Sequence, residues 1–204
     1  MKMRAAAPPE VEAHRLTSQR ILDAADRLFY GEGIQAVGVD AIAAQAGVSK
    51  RTLYKHYASK DTLITAYLER RSARTTENYR RQGPAEDPLA QILAVFAVFE
   101  RRFADPSFRG CPFVNAVSEL GGDPQHPALP VAREFKLRRR RWFETRLRAL
   151  QVKHPRQLAD QLVILVEGAL ATSLVRGGDP GAARAAGAAA RVLLTAAGLR
   201  AAAR

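Results

Sequence analysis

A three-residue break between two helical patterns constrains the fold of this chain more than any other feature. Apolar residues before the break recur at helical spacing: Val39, Ile42, Ala43 and Ala46. After it, Leu53 and Tyr57 lie four residues apart on one face. The break, Gly47-Val48-Ser49, has room only for a tight turn, because glycine commonly ends one helix and serine caps the next. The sequence therefore predicts a helix-turn-helix over residues 39 to 57.

The second helix of this unit carries a basic and aromatic outer face. With Leu53 and Tyr57 directed inward, the residues that point largely outward are Lys50, Arg51, Thr52, Tyr54 and Lys55. Residues 47 to 60 contain four Lys or Arg side chains and no Asp or Glu. A helix that enters the major groove needs polar side chains for base edges and cations for phosphates. This pattern is typical of a DNA-binding helix-turn-helix.

Helix signals also flank this unit on both sides. Leu16-Thr17 supplies an apolar residue and a capping hydroxyl, which predicts a first helix from residue 17 to near Gly33. Residues 1 to 15 lack periodicity and are predicted to form a flexible arm. Ser59 is predicted to cap a fourth helix that runs toward Arg81.

The rest of the chain predicts further helices and no strand. Five helical segments follow Pro84, divided by breaks that contain Gly or Pro: 86–104, 110–120, 127–152, 156–177 and 180–200. No stretch alternates with period two over a useful length. The predicted fold is all-α, with an N-terminal helix-turn-helix domain over 16–66 and a larger helical domain over 67–204.

Composition limits the classes of function. Hydrophobic residues make up 47% of the 204, which is enough apolar material for a core. The formal net charge of +12 favours an anionic partner, either nucleic acid or a membrane surface. The sequence has no nucleophile elbow, dinucleotide-binding glycine motif, phosphate loop or metal-spaced set of His or Cys. We therefore predict that the protein is not an enzyme and has no cofactor or metal site.

The sequence also indicates where the protein acts. The N-terminus lacks the apolar core of a signal peptide, and a single cysteine, Cys111, allows no internal disulfide. The longest apolar stretch, Leu162 to Leu174, contains Glu167 and is shorter than the roughly 20 residues of a membrane span. We expect a cytoplasmic protein without a membrane partner.

Residues 17 to 68 resemble a known family. The segments that carry the resemblance are Ile21-Leu22-Asp23-Ala24-Ala25, Leu28-Phe29, Gly33, Ile42-Ala43, Ala46-Gly47-Val48-Ser49, Thr52-Leu53-Tyr54-Lys55-His56-Tyr57 and Ser59-Lys60-Asp61. In this order they resemble the DNA-binding domain of the TetR-family transcriptional regulators. The resemblance implies a sequence-specific regulator of transcription, with repression as the expectation from the family.

The resemblance implies roles for individual residues. The DNA-binding candidates are Lys50, Arg51, Thr52, Tyr54, Lys55, His56 and Lys60. The first three are expected to read bases or phosphates, and Tyr54 and His56 to contact the DNA backbone. Lys60 is expected to bind phosphate at a helix N-terminus, where free amides favour anions in any family. Tyr54 could instead pack on the preceding helix, His56 could be a structural hydrogen-bonding residue, and Gly38 replaces a threonine that many members have.

The resemblance also implies a larger C-terminal domain that dimerises and binds a small-molecule effector. Apolar residues of the last two predicted helices could form a four-helix bundle between two subunits: Leu158, Leu162, Leu165, Val166, Leu170, Val192, Leu193, Ala196 and Leu199. The alternative is that both helices are core of a single chain. A homodimer would hold two recognition helices ~34 to 36 Å apart, which predicts a palindromic operator in double-stranded DNA. Effector binding is expected to change that spacing and release the operator.

Candidate effector-binding residues come from the aromatic residues of the second domain and from polar groups near them. They are Phe99, Phe103, Phe113, Asn115, Trp142 and Glu167. An aromatic lining with few polar groups suits an apolar or aromatic effector, although each ring could equally fill the core. Cys111 could be a redox sensor or a small buried hydrophobe. The basic run from Arg138 to Arg141 could be a solvated face, an aid to DNA attraction or a receiver for an acidic effector.

One alternative function stays open on the sequence. A nonspecific nucleic-acid-binding or adaptor protein on the same fold would also be served by the positive net charge. Nonspecific binding falls steeply with salt and ignores base order, whereas a regulator keeps a large preference for its operator.

Overall fold

A computed structural model describes residues 9–81 and 87–199. Within these ranges the chain forms nine α-helices and no strand, which confirms the predicted all-α fold. The helices are α1 (Pro9–Glu32), α2 (Val39–Ala46), α3 (Lys50–His56), α4 (Lys60–Arg80), α5 (Pro88–Phe103), α6 (Pro112–Leu120), α7 (Ala128–Ala149), α8 (Pro155–Val175) and α9 (Gly181–Ala196). The ends of α2 to α9 agree with the predicted ends to within four residues.

The start of α1 differs from the prediction. The sequence predicts an arm over residues 1–15, but α1 begins at Pro9. The prediction is therefore wrong for residues 9–15, and residues 1–8 lie outside the described residues.

Proline and local charge explain why α1 begins so early. Proline is favourable at the first helical position, where its missing N–H costs no hydrogen bond. Glu10 and Glu12 follow in the first turn, where carboxylates are stabilised by the helix dipole. Glu12 also forms an ion pair with Arg15, with Oε1 2.6 Å from Nη2. Thr17, the predicted cap, therefore lies inside the helix, where its Oγ1 donates to the carbonyl oxygen of Ala13.

The ends of the short helices follow the predicted capping. The Oγ of Ser49 accepts a hydrogen bond from the backbone N–H of Thr52 at 3.1 Å. The Oγ of Ser59 accepts one from the backbone N–H of Thr62, also at 3.1 Å. Gly47 ends α2 with a φ of 64°, in the left-handed region that glycine adopts without a Cβ penalty. These three predictions from residue type are confirmed.

The first four helices share one apolar core. Its fully buried members include Ile21, Ala24, Ala25, Ile42, Leu53, Leu63 and Leu68. Three ion pairs between described residues fasten α4 to α1. Arg70 lies 2.6 Å from Asp23 and 3.8 Å from Asp26, and Arg71 Nε lies 2.7 Å from Asp26 Oδ1. This core holds α3 in a fixed position against α1.

The helix α4 belongs to both halves of the molecule. It runs without interruption across the boundary predicted between residues 66 and 67. Its Tyr67 ring packs edge-on against Phe29 of α1, with centroids 5.6 Å apart, while α4 also packs on α6 and α7. The two predicted domains therefore share a helix rather than meet at a loop, and the division at residue 66 stays a prediction.

Small side chains shape the packing of α5 to α9. α8 lies against α7 and α9, and α5 packs on α9. The buried residues of α9 are Ala182, Ala183, Ala186, Gly187, Ala190 and Leu194. A Cβ added at Gly187 would lie only 3.2 Å from the Cβ of Phe96 on α5. The alanine-rich sequence thus lets α9 approach α5 closely within one chain.

The helix α8 is long and apolar enough to cross a membrane by length and composition alone. Its Leu162 and Val166 side chains are fully buried in the described structure. Glu167 within it pairs with two cations of α7, Lys136 at 2.6 Å and Arg139. This packing is that of a core helix.

The residues predicted to join two subunits fall into two groups. Leu158, Leu162, Val166 and Leu170 are buried within the single chain, as the alternative interpretation states. Val192 of α9 is 68% exposed. Ile164 and Val175 of α8, which the prediction did not include, are 68% and 87% exposed. Of these exposed apolar residues, Val192 is among those predicted, and Ile164 and Val175 are not.

Candidate functional site

Hydrogen bonds fix the turn between α2 and α3. The N–H of Gly47 donates to the carbonyl oxygen of Ala44 at 3.1 Å, and the N–H of Val48 donates to that of Ala43 at 3.0 Å. Arg20 of α1 donates from Nη2 to the carbonyl oxygen of Gly47 at 3.2 Å. The direction in which α3 leaves the turn is therefore determined by the backbone and by α1.

The helix α3 rests on one fully buried residue, Leu53, and exposes its opposite face. The exposed side chains of that face are Lys50, Arg51, Tyr54 and Lys55. We call these four, together with Lys60 at the start of α4, the recognition surface. The Tyr54 side chain is 41% exposed, which favours an outward role over packing on the preceding helix.

Two of the predicted DNA-binding residues have partners in the structure. The Lys50 Nζ lies 3.0 Å from the Asp40 carboxylate, and both side chains are more than half exposed. An ion pair this exposed is weak, so Lys50 can exchange Asp40 for a phosphate. The Thr52 Oγ1 shares a hydrogen bond of 2.8 Å with Ser49 Oγ, which makes Thr52 part of the cap of α3.

His56 lies at the end of α3 and contacts α1. Its ring centroid is 4.1 Å from that of His14, and its Nδ1 is buried without a hydrogen-bond partner among the described residues. Burial lowers the pKa of His56, and the neighbouring His14 and Lys55 lower it further. Beside it, the Tyr57 Oη shares a hydrogen bond of 2.9 Å with Ser18 Oγ. These contacts favour a structural role for His56, through ring packing rather than hydrogen bonding.

A second candidate site is a cavity enclosed by α4 to α8. We call it the central cavity, and the space between atoms there, together with adjoining open solvent, is about 580 Å³. The residues that line it are Thr75, Asn78, Val95, Val98, Phe99, Arg102, Gly110, Cys111, Pro112, Phe113, Phe135, Arg139 and Leu170. The lining is mostly apolar, as is common for small-molecule sites.

One wall of the central cavity combines stacked rings with charge. The rings of Phe113 and Phe135 stack with centroids 3.8 Å apart, and the Arg139 guanidinium lies 4.9 Å from the centroid of Phe135. Arg139 is only 4% exposed and forms an ion pair with Glu167. The Cys111 Sγ accepts a hydrogen bond from Lys136 Nζ at 3.4 Å. This wall of the cavity therefore presents aromatic rings beside cationic side chains.

The comparison with protein families matches the helix-turn-helix. The family model for bacterial regulatory proteins of the tetR family matches residues 21–67, which include the whole recognition surface. An uncharacterized HTH-type transcriptional regulator of Mycobacterium tuberculosis is 31% identical over 109 residues, 53% of this chain and 54% of that relative. The HTH-type transcriptional activator FasR of Mycolicibacterium smegmatis is 47% identical over 51 residues, 25% of this chain and 23% of that relative. The chain thus spans about half the length, or less, of these two curated relatives.

A solved structure extends the likeness over nearly the whole chain. A TetR-family transcriptional regulator from Streptomyces coelicolor is 32% identical, with a TM-score of 0.78 over 91% of this chain and 97% of that one. The chain belongs to the TetR family. The likeness of this TetR-family regulator to the solved structure therefore includes α5 to α9, beyond the range of the family model.

The structure of this TetR-family regulator separates the predicted effector-binding residues into two groups. Phe99 and Phe113 line the central cavity. Glu167 does not line it but forms an ion pair with Arg139, which does. The other three lie outside the lining: Phe103, Asn115 and Trp142.

Each of these three has another packing role. Phe103 is buried in the core. The Asn115 Nδ2 donates to the carbonyl oxygen of Arg109 at 2.8 Å, which orders the turn before α6. The Trp142 ring lies 3.7 Å below the guanidinium of Arg146.

The basic run on α7 has two roles in the TetR-family regulator. Arg138 and Arg141 pair with Glu134, and Arg140 pairs with Glu144 at 2.9 Å. Arg139 instead turns inward to the central cavity. Sequence reasoning missed this residue, although it lies midway between the buried Phe135 and Phe143 at four-residue spacing. That spacing is the signal that could have found it.

Contacts that the sequence did not predict join the central cavity to the N-terminal helices. The Tyr30 Oη donates to the carbonyl oxygen of Gly110 at 3.0 Å and accepts from the N–H of Arg109 at 3.0 Å. Gly110 itself lines the cavity. One residue of the cavity wall is therefore hydrogen-bonded directly to α1.

The far end of α6 is fastened in a similar way. The Glu119 Oε2 accepts a hydrogen bond from the backbone N–H of Gln35, between α1 and α2, at 2.8 Å. Beyond α6, His126 Nε2 lies 3.3 Å from Asp61 Oδ1 at the start of α4. Both ends of α6 thus connect the cavity region to the part of the chain that carries the recognition surface.

Proposed function

We propose that this TetR-family regulator binds a specific double-stranded DNA operator through the recognition surface. The observation that supports this most strongly is the exposure of three cations and one tyrosine on a helix whose inner face is fixed by buried Leu53. A capped, rigid helix with such a face can enter the major groove without rearrangement.

The residues of the recognition surface would contact different parts of the DNA. Arg51, near the start of α3, would read a base edge, since recognition helices present their N-terminal residues to bases. Tyr54 and Lys55 would contact the sugar-phosphate backbone. Lys60 would bind a phosphate at the N-terminus of α4, where the helix dipole adds attraction. Lys50 would reach DNA after releasing Asp40.

The proposed regulator acts as a homodimer. Exposed apolar side chains on α8 and α9, such as Ile164, Val175 and Val192, support a subunit interface there. A two-fold axis through these helices would place two recognition helices on half-sites of a palindrome, roughly 34 to 36 Å apart.

A small-molecule effector in the central cavity would regulate DNA binding. An occupant would press on the wall at Gly110, and the Tyr30 hydrogen bonds would carry the displacement to α1. Glu119 and Gln35 offer a second connection at the other end of α6. The effector would stabilise a dimer whose half-site spacing no longer fits the operator. We propose that the protein acts in the cytoplasm as a repressor of transcription and that effector binding relieves this repression.

The experiment that tests the proposal is a fluorescence anisotropy titration. Duplexes that tile the DNA upstream of the protein's own gene are titrated at physiological salt, with scrambled duplexes as controls. Saturable binding to one palindromic tile is expected. Tyr54→Ala should abolish most of the binding, and Lys60→Ala should lower the slope of log affinity against log salt by about 1.

A matched control separates this surface from general positive charge. Lys153→Ala removes an exposed cation that lies far along the chain, before α8, and should leave operator affinity unchanged. Equal binding of operator and scrambled DNA would replace the proposal with a nonspecific nucleic-acid-binding function.

A further inference from the structure

The central cavity is lined by positive charge without an acidic counterpart. Among the described residues that line it, two are cationic, Arg102 and Arg139, and none is acidic. Lys136 lies beside the cavity, 3.4 Å from the lining Cys111. Beside the cavity, the Glu167 carboxylate is shared between Lys136 and Arg139, and the Asp105 carboxylate lies near Arg102. Among the described residues, three cations and two carboxylates thus line or adjoin the cavity, so positive charge is in excess.

Of the cations at the cavity, Arg102 has the fewest side-chain interactions within the described structure. It lies in the last turn of α5, and within the described part of the chain its side chain makes no hydrogen bond or ion pair. The nearby Asp105 carboxylate accepts hydrogen bonds from the Oγ and the backbone N–H of Ser107, at 2.7 and 2.8 Å. These bonds lower the pKa of Asp105, and the charge of Arg102 adds a smaller contribution. The guanidinium of Arg102 can therefore serve a group inside the cavity.

The apolar part of the cavity suits a flat ring. Phe113 and Phe135 stack at 3.8 Å, and Phe99 lines the same space. Aromatic walls favour aromatic or planar apolar guests through offset stacking and edge contacts. The cationic and aromatic parts meet at Phe135, over which Arg139 lies.

We propose that the central cavity selects compounds that carry an anionic group on an aromatic or planar apolar body. Arg102 and Arg139 bind the anionic group, and the phenylalanine rings hold the body. The inference rests on the proposed effector role of this cavity and names the chemical class of the effector.

A matched pair of probes tests the charge preference. 1-Naphthoate and 1-naphthamide share one ring system and differ in charge, and isothermal titration calorimetry measures their binding to the full-length protein. A charge-assisted hydrogen bond from arginine should make the naphthoate bind about tenfold tighter than the amide. Arg102→Gln should remove about tenfold of the naphthoate affinity and leave amide affinity unchanged.

Two further variants locate the site. Arg101→Gln removes the neighbouring exposed cation of α5, which does not line the cavity, and should leave both affinities unchanged. Val98→Phe narrows the cavity and should weaken the binding of both probes. Thermal unfolding of each variant shows whether it keeps the wild-type fold before its affinity is compared.

Several results would overturn the inference. They are equal or tighter binding of the amide, no binding of either probe, or an equal loss of naphthoate affinity in Arg101→Gln and Arg102→Gln. The proposed effector role is read separately, from operator affinity with and without naphthoate. Charge-dependent binding that leaves operator affinity unchanged would refute the effector role and keep the charge preference of the cavity.

Discussion

The ion pair between α1 and α4 gives a prediction whose size follows from its surroundings. The Arg71 guanidinium donates to Asp26 from Nε and Nη2, at 2.7 and 3.1 Å. It also lies 4.1 Å from the ring centroid of Tyr30 and 5.5 Å from that of Tyr67. The Asp26 and Arg71 side chains are 12% and 17% exposed. Asp26→Ala would therefore leave a buried cation with two aromatic rings and no carboxylate at this position.

The expected cost of Asp26→Ala is about 3 kcal/mol in the free energy of unfolding. Removal of one member of a buried pair costs roughly 3 to 5 kcal/mol. The lower end applies because Arg71 keeps both aromatic contacts and some contact with water. For a chain of this size each kcal/mol shifts the melting temperature by about 2–4 °C, so the shift should be roughly 6–12 °C.

The assay is urea and thermal unfolding followed by far-UV circular dichroism. Asp23→Ala is the matched control, because Asp23 lies on the same helix, pairs with Arg70 at 2.6 Å and is 51% exposed. The free energy of unfolding of Asp23→Ala should fall by less than about 1 kcal/mol. The double variant Asp26→Ala/Arg71→Met should recover part of the stability, since the buried charge is gone. Equal losses in Asp26→Ala and Asp23→Ala would refute the reasoning.

Two other predictions concern hydrogen bonding and pH. Tyr30→Phe keeps the ring over Arg71 but removes two hydrogen bonds, so stability should fall by about 1–2 kcal/mol and hydrogen exchange at the Arg109 amide should accelerate. Tyr54→Phe is its control, and an unchanged exchange rate in Tyr30→Phe would contradict the prediction. The pKa of His56 lies below its ordinary 6.5, so the unfolded chain binds a proton first and stability is lost as pH falls below about 6.5. Urea unfolding at several pH values should show this loss, and His56→Gln should lessen it; parallel pH profiles for the two proteins would count against it.

The parts of the fold that could be predicted depend on local chemistry. Ser49, Ser59 and Gly47 act within three or four residues of their own position, so residue type was sufficient. The outward face of α3 followed from the inward spacing of Leu53 and Tyr57. The predicted start of α1 at residue 17 was wrong because two local signals compete there. A proline and two acidic residues start a helix as effectively as a capping hydroxyl does.

The candidate cavity was harder to predict because its residues come from five helices. An arginine in a basic run is usually solvated, and only the four-residue spacing from Phe135 and Phe143 set Arg139 apart from Arg138 and Arg141. Its inward position depends on Glu167 of α8, which is 28 residues away in sequence. The contacts of Tyr30 with the turn before α6 also join residues about 80 positions apart. Such pairs are set by tertiary packing and leave no periodic signal.

A helix that packs against both halves of the molecule also links their unfolding. If the second half of the molecule opened alone, α4 would lose its neighbours α6 and α7 while Tyr67 and Leu68 still required burial at its other end. The first half could not open alone for the same reason. The chain should therefore melt in one cooperative transition, although its two regions have different tasks. A protease that samples partly open states would find no folded N-terminal fragment to release.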